Sequence, residues 1–204
     1  MAIPSSGWNF SFYLFGDSCD RAPYALSALN MALREGGVGA KREGVQIVSV
    51  WCGEKLVFDG DRYELKGVKP NLFEPKSDRK ISKIVLKTPL RLKSDGKRVA
   101  PDEITALALA LSALRRLDEI EGREFQKRRF EYEREKEAKR LEFVDLTRYS
   151  NRQKTKMALG GYVGEIECAP VGEELSAALQ LGEIIGVGKS VVFGLGEIKL
   201  EEES

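Results

Sequence analysis

Apolar positions along the chain alternate between short strand-like runs and stripes at helical spacing, and their order predicts the fold. WNFSFYLF, Trp8 to Phe15, is dense enough in aromatics to predict a buried strand. Ala22, Leu26, Leu29 and Leu33 then recur on one helical face, and Gly36 and Gly37 end that helix. Val45 to Val50 and Lys55 to Phe58 read as strands, with Asp59 and Gly60 forming a hairpin signal ahead of Tyr63. The polar, proline-bearing KPNLFEPKSDRK, Lys69 to Lys80, predicts a linker.

Beyond it the order is clearer. Ile81 to Leu92 predicts a strand, with Pro89 pushing that part toward an edge or bulge. Pro101, Asp102 and Glu103 suit a first helical turn, followed by a stripe of Ile104, Leu107, Leu111, Leu114 and Leu117. Leu141 to Tyr149 and Gly161 to Cys168 predict two strands. A second helix carries Leu175, Ala178, Leu179 and Ile185, and Val191 to Leu200 predicts the last strand. This β-α-β-β-α-β order is the ferredoxin-like split arrangement. The first part supplies strand, helix, strand, strand and no second helix, which predicts a partial unit of the same kind, begun partway through. The expected fold is therefore α+β, with tandem ferredoxin-like (RRM-like) domains. The partial first domain spans 1–70, the linker 71–80 and the second domain 81–204.

Between the first helix of that second domain and its next strand lies the charged stretch Glu121 to Arg140. Glu124 with Arg128, Arg129 with Glu133, and Glu135 with Lys139 are each four apart, which predicts a solvated helical extension held by weak ion pairs. The alternative is an RNA-contacting face through Lys127, Arg128 and Arg129.

Composition narrows the chemistry. A net charge of +1 confines any nucleic-acid surface to a local patch. No apolar run reaches membrane-spanning length and no charged-then-apolar leader opens the chain, so no membrane partner and a cytoplasmic location are the expectation. The three cysteines, Cys19, Cys52 and Cys168, are far apart and form no CxxC pair. They argue against a metal site or disulfide framework and read as small buried apolar groups. Histidine is absent altogether, which excludes Ser-His-Asp, Cys-His and HExxH chemistry.

Two stretches remain as candidate sites. GVGKSVVFGLG, Gly186 to Gly196, gathers Gly186, Gly188, Gly194 and Gly196 around Lys189 and Ser190. It is not a P-loop, since that pattern needs glycine at Glu183 and runs strand, loop, helix. A tight turn leading into a glycine-bulged strand, and an anion site, both stay open. The second is RYSNRQKTK, in which Arg148, Arg152, Lys154 and Lys156 are interleaved with Tyr149 and hydrogen-bonding residues and no acid. That composition suits an RNA backbone with an aromatic available for a base, and equally a solvated connection between strands. Lys41 and Arg42 accompany a further glycine-bearing loop, GVGAKR.

RYSNRQKTKMALGGYVGEIE, Arg148 to Glu167, followed by LGEIIGVGKSVVFGLGEIKL, Leu181 to Leu200, resembles the C-terminal domain of the CRISPR-associated Cas-six family, endoribonucleases of the RAMP superfamily. FSFYLFG and GGVGAKREGVQIVSV resemble the latter part of that family's first domain, and IVLKTPLRLK the strand that opens its second. The resemblance implies antiviral defence through repeat-RNA binding and metal-independent processing of precursor CRISPR RNA. The RNA's 2′-hydroxyl would attack the adjacent phosphate, leaving a cyclic phosphate and a 5′-hydroxyl. Repeat RNA is then the partner, alongside other CRISPR-associated proteins, with no cofactor and no metal. Lys189 would stabilise the phosphate charge, and Tyr149, or else Tyr24 or Tyr162, would move a proton. Lys41, Arg42, Arg148, Arg152, Lys154, Lys156, Lys189 and Ser190 would hold RNA. The family commonly uses histidine for proton transfer, and one is expected just before the VGK, where this chain has Gly186. Alternatives are therefore a non-cleaving RNA-binding subunit of a CRISPR ribonucleoprotein and a structural ferredoxin-like protein.

Overall fold

The computed structural model describes residues 9–38, 41–94, 96–126, 128–150 and 154–203. The chain divides into two compact units, Met1–Leu72 and Phe73–Ser204. In the first unit, a 3-10 turn, Gly16–Arg21, leads into α1, Ala22–Met31, which ends in a π turn, Ala32–Gly36. A hairpin follows, β1 (Val50–Cys52) with β2 (Lys55–Phe58). Asp59 Oδ1 accepts hydrogen bonds from the Asp61 and Arg62 amides, an Asx turn that returns the chain and stacks Tyr63 on Phe58 at 4.3 Å. Those two amides also hold the Asp59 carboxyl below its usual range.

Two expectations fail in this unit. Trp8 lies outside the described residues, and Asn9 to Phe15 carries no regular secondary structure. A run of aromatics suits a strand only if a neighbouring strand takes its backbone hydrogen bonds, and among the described residues of this unit only β1 and β2 pair. The strand expected over Val45–Val50 begins only at Val50, opposite β2. Among the described residues of this unit, Leu26, Val57 and Phe58 are the buried apolar side chains. Cys52 is exposed, against the expectation that each cysteine is buried.

The second unit is built on a four-stranded antiparallel sheet. Its strands are β3 (Ile81–Leu90), β6 (Ala138–Val144), β9 (Gly161–Glu167) and β10 (Ile198–Glu202). Two small hairpins complete the strand set, β4 (Lys93–Ser94) with β5 (Lys97–Arg98), and β7 (Thr147–Ser150) with β8 (Thr155–Ala158). The sheet order β10-β3-β9-β6 places the first strand beside the last and the third, the order of a ferredoxin-like βαββαβ unit. Two helices, α2 (Ala106–Ile120) and α3 (Glu173–Ile185), cover one face. Ile84, Leu86, Leu90, Ile166, Ile198 and Leu200 from the strands meet Leu109, Ala113, Leu175 and Leu179 from the helices in one core. The last strand is shorter than expected, because Val191–Phe193 forms a 3-10 turn before it.

The stretch expected as a linker begins in the first unit and ends docked on the second. Lys76 exchanges two hydrogen bonds of 2.9 Å with the buried Gln180 side chain. Arg79 Nη1 donates to Glu183 at 2.6 Å, which raises the guanidinium above its ordinary pKa.

Helix α2 departs from its expected face. The buried side is Ala106, Leu109, Ala110 and Ala113, with Leu107 and Leu114 half-buried beside it. Small residues let α2 approach α3 closely, and a Cβ placed on Gly182 would stand 3.3 Å from that of Ala113. The helix starts at Ala106, capped by Thr105 Oγ1 accepting from the Ala108 amide. Pro101–Glu103 forms a separate 3-10 turn ahead of it.

The expected helical extension over Glu121–Arg140 does not form. Gly122, at φ +66°, ends α2 in a Schellman motif, with the Arg123 amide on the Asp118 carbonyl and the Gly122 amide on the Glu119 carbonyl. Topology also forbids the extension. Helix α2 starts beside the beginning of β6, where the Ala106 amide donates to Glu137 Oε1 at 2.7 Å. It ends beside α3's C-terminus, where Arg116 Nε donates to the Ile185 carbonyl at 2.7 Å. The chain must therefore return along a helix of about 22 Å. Residues 121–137 make that return, aside from a short 3-10 turn at Arg134–Lys136, with Phe130 and Tyr132 packed on the core. The buried Asp118 faces Arg123 and Arg128 at 3.5 Å each, so Arg128 is engaged in holding this strap rather than presented to RNA. Lys127 lies outside the described residues.

At the strap's end Tyr132 Oη donates to Glu137 Oε1 at 2.8 Å, close to Cys168. Burial, helped by the Glu137 carboxylate, pushes the Cys168 thiol up to about 12. At pH 8 only about one such thiol in ten thousand is ionised. A disulfide reagent at that pH is expected to modify exposed Cys52 readily and leave Cys168 untouched until the protein unfolds. Mass spectrometry of the labelled peptides checks this, and equal rates at the two sites would refute it.

Candidate nucleic-acid interface

Strand register brings the candidate stretches to one end of the sheet. Leu90 at the end of β3 pairs with Tyr162 at the start of β9, Tyr162 pairs with Phe143 near the end of β6, and β10 starts opposite Leu86. The connections leaving this end are the β4–β5 hairpin, the β7–β8 hairpin and the glycine-rich loop from Gly186 to Glu197. This end is the glycine pole of the unit.

The glycine loop is tightly tied. The Val187 amide donates to the Gly196 carbonyl at 2.9 Å, the Gly196 amide to Pro89 at 3.2 Å, and the Lys189 amide to Arg91 at 2.8 Å. The Gly188 amide donates to Ser112 Oγ at 2.7 Å. Gly186 and Gly188, both at positive φ, leave no room for a side chain: a Cβ would lie 2.6 Å from Val191 Cγ1 in one case and 2.7 Å from the Arg91 carbonyl in the other. A histidine at 186 would therefore hold a left-handed conformation and push Val191 aside. Ser190 holds a left-handed conformation at φ +68° despite its side chain, and Arg91 Nη1 donates to its Oγ at 2.8 Å. Such strain persists where surrounding contacts over-determine it. Beyond Ser190, Val192 is almost fully exposed.

The Lys189 ammonium projects from this braced loop, 4.0 Å from Glu119 with both side chains more than half exposed. A pair so solvated contributes at most about 1 kcal/mol and leaves the ammonium open to a stronger anion. Lys154 and Lys156 sit on the β7–β8 hairpin, Lys154 at φ +53°. Arg148 and Tyr149 belong to β7, where Tyr149 is about half exposed, and Arg152 lies outside the described residues. Of the other tyrosines considered, Tyr162 packs edge-on against Phe143 at 5.4 Å and Tyr24 is exposed on α1. Lys41 and Arg42 belong to the first unit, in the turn closed by the Val38–Glu43 bridge.

The sequence reading passed over Arg91 as a site residue, together with Lys93, Lys97 and Arg98 of the β4–β5 hairpin. The available signal was RLKSDGKR, a two-residue Asp-Gly turn flanked by cations. Arg98 lies over the Phe143 ring at 4.2 Å, which holds its guanidinium at the glycine pole.

Charge is distributed unequally. Toward the other end, two cations of the sheet are matched: Lys83 Nζ lies 2.7 Å from Glu201 and 3.7 Å from Glu165, and Arg140 lies 3.4 Å from Glu165. The Lys83–Glu201 hydrogen bond raises the lysine's pKa and lowers the glutamate's. At the glycine pole, no salt bridge joins Arg91, Lys93, Lys97, Arg98, Lys154 or Lys156 to a carboxylate among the described residues. The sheet face opposite the helices carries Lys83, Val85, Lys87, Val163, Glu165, Lys199 and Glu201 in alternation with the core positions. None of these is aromatic, so that face offers no platform for stacking bases.

Fold and charge thus define an α+β protein whose second unit is ferredoxin-like, with cations gathered at one pole. The family model for CRISPR-associated endoribonuclease Cas6 matches residues 84–198, more than half of the 204 residues. The chain belongs to the Cas6 family. No curated protein matches it. Among solved structures, Thermus thermophilus Cas6 is 18% identical, with 62% of this chain and 55% of that one covered and a TM-score of 0.41. A Cas6 in complex with a substrate mimic is 20% identical, with 71% and 65% covered and a TM-score of 0.37. The product of a Cas6-related gene from Pyrococcus furiosus is 18% identical, with 66% and 52% covered and a TM-score of 0.36. The chain spans between half and two thirds of the length of these structures. No helix among the described residues is long and apolar enough to cross a membrane.

Proposed function

We propose that this chain binds CRISPR repeat RNA at the glycine pole and cuts precursor CRISPR RNA there without a metal ion. Membership of the Cas6 family supports the RNA, and the observation that carries the reading is the set of cations gathered at that pole without carboxylate partners. Uncompensated cations on short, braced hairpins favour a polyanion, because binding exchanges condensed counterions for fixed charges. In the cut, O2′ attacks the adjacent phosphorus while the bond to O5′ breaks. One proton leaves the 2′-hydroxyl and one reaches the departing 5′-oxygen. Lys189 places its ammonium beside the phosphorane to offset the added charge. The Tyr149 hydroxyl, exposed at the same pole, is assigned to proton transfer. Arg148, Arg152, Lys154, Lys156 and Ser190 hold the backbone; Lys41 and Arg42 of the first unit, which we take as a partial ferredoxin-like domain, are assigned RNA contacts of their own.

A second reading, binding without cleavage, is favoured by the absence of histidine and by a loop in which any side chain at Gly186 would be strained and would crowd Val191. Incubating labelled repeat RNA with the protein in EDTA separates the two. A single cut ending in a cyclic phosphate is the expected result. Intact RNA retained on a native gel would select the binding subunit. RNA that is neither cut nor retained, at any salt concentration, would leave the structural role.

A further inference from the structure

We infer that the β4–β5 hairpin is a separate site for the ribose-phosphate backbone of RNA, reading charge rather than base sequence. This rests on the RNA-binding reading above and adds a site to it. Three observations carry it.

The first is charge. Lys93, Lys97 and Arg98 are exposed, Lys93 pairs with Arg98 across the hairpin, and none of the three has a carboxylate partner among the described residues. On the sheet itself, Lys83 and Arg140 are by contrast held against Glu201 and Glu165.

The second is rigidity. A two-stranded hairpin this short is unstable alone. This one is pinned by the Val99 amide on the Leu92 carbonyl at 3.2 Å, by Leu92 and Val99 packing on the core, and by Arg98 lying over Phe143. The backbone that carries its cations, and the Arg98 guanidinium, are thus held in place before any ligand arrives, which lowers the ordering cost of binding.

The third is continuity. Arg91, directly before the hairpin, accepts the Lys189 amide at its carbonyl and donates through its guanidinium to Ser190 Oγ. One short segment therefore connects the hairpin to the glycine loop, so the two lie at the same pole. The hairpin carries no aromatic side chain of its own, and its three cations are suited to phosphates.

The test is the salt dependence of binding for two RNA stem-loops of unrelated sequence. The variant replaces all three cations, Lys93→Ala, Lys97→Ala and Arg98→Ala. Each phosphate contact contributes about one unit to the slope of log affinity against log salt. The triple variant is expected to lose about two to three units of slope and to weaken equally on both RNAs. The charge-retaining triple Lys93→Arg, Lys97→Arg and Arg98→Lys is expected to keep the wild-type slope, which separates charge from a folding defect. A steep wild-type slope that the alanine triple leaves unchanged would overturn the hairpin site alone. Loss on one RNA only, or equal loss in the charge-retaining variant, would also overturn it. Failure of the wild-type protein to bind either RNA would remove the RNA reading itself.

Discussion

Gly196→Ala is expected to destabilise the second unit by about 3 kcal/mol or more, the range for backbone strain combined with a clash that nothing can relieve. At φ +73°, an added Cβ would stand 1.9 Å from the Val187 carbonyl oxygen, and that obstacle is backbone. The residue also accepts the Val187 amide and donates to Pro89, so moving it loosens the joint between α3, β3 and β10. Gly194→Ala is the control. Its φ is +79°, yet nothing lies within 4 Å of the added Cβ, so only the left-handed conformation is penalised, at about 1 to 2 kcal/mol. Urea unfolding of both variants checks the difference. Equal midpoints would show that the close approach at 196 relaxes freely and that the loop is not the rigid joint described here.

The second large effect concerns cleavage. Lys189→Ala is expected to slow the metal-free cut by about a hundredfold or more, the usual result of deleting a group that meets charge in the transition state. Affinity should fall much less, since Lys189 is one of several cations at the pole. Lys189→Arg should keep the affinity while restoring only part of the rate, because a planar guanidinium does not reproduce the position of an ammonium. Single-turnover cleavage and equilibrium binding, measured on the same RNA, separate the two quantities. A rate unchanged in the alanine variant would exclude Lys189 from the reaction.

The Gly186 geometry bears on how catalysis could be improved. The resemblance leads one to expect a histidine at this position, yet the loop packs Val191 where such a side chain would go. Restoring histidine there would disturb the support of Lys189 rather than complete a site. In the proposed mechanism the proton-transfer group comes instead from the β7–β8 hairpin, where the role is assigned to the half-exposed Tyr149.

The order of elements in the second unit, its two helices and the glycine loop were legible in the sequence alone. Those features rest on local rules: apolar periods of two or 3.6 residues, helix-stopping glycines, and positive φ in crowded turns. The exclusions were equally secure, because a chain without histidine cannot perform histidine chemistry whatever its fold. Tertiary structure decided the rest. The ion-pair spacing of Glu121 to Arg140 suits a helix, but the chain has to travel back to the start of β6, and Asp118 takes Arg123 and Arg128 to hold that return. Aromatic density at Phe10 to Phe15 suits a strand, but a strand needs a partner to take its backbone hydrogen bonds. Arg91 and Arg98 looked like ordinary surface cations until the fold set Arg91 beside Lys189 and Arg98 over Phe143, partners distant in sequence. Local sequence determines which elements form and where they stop. Which charges share a pole, and which are neutralised, depends on long-range register that no local pattern records.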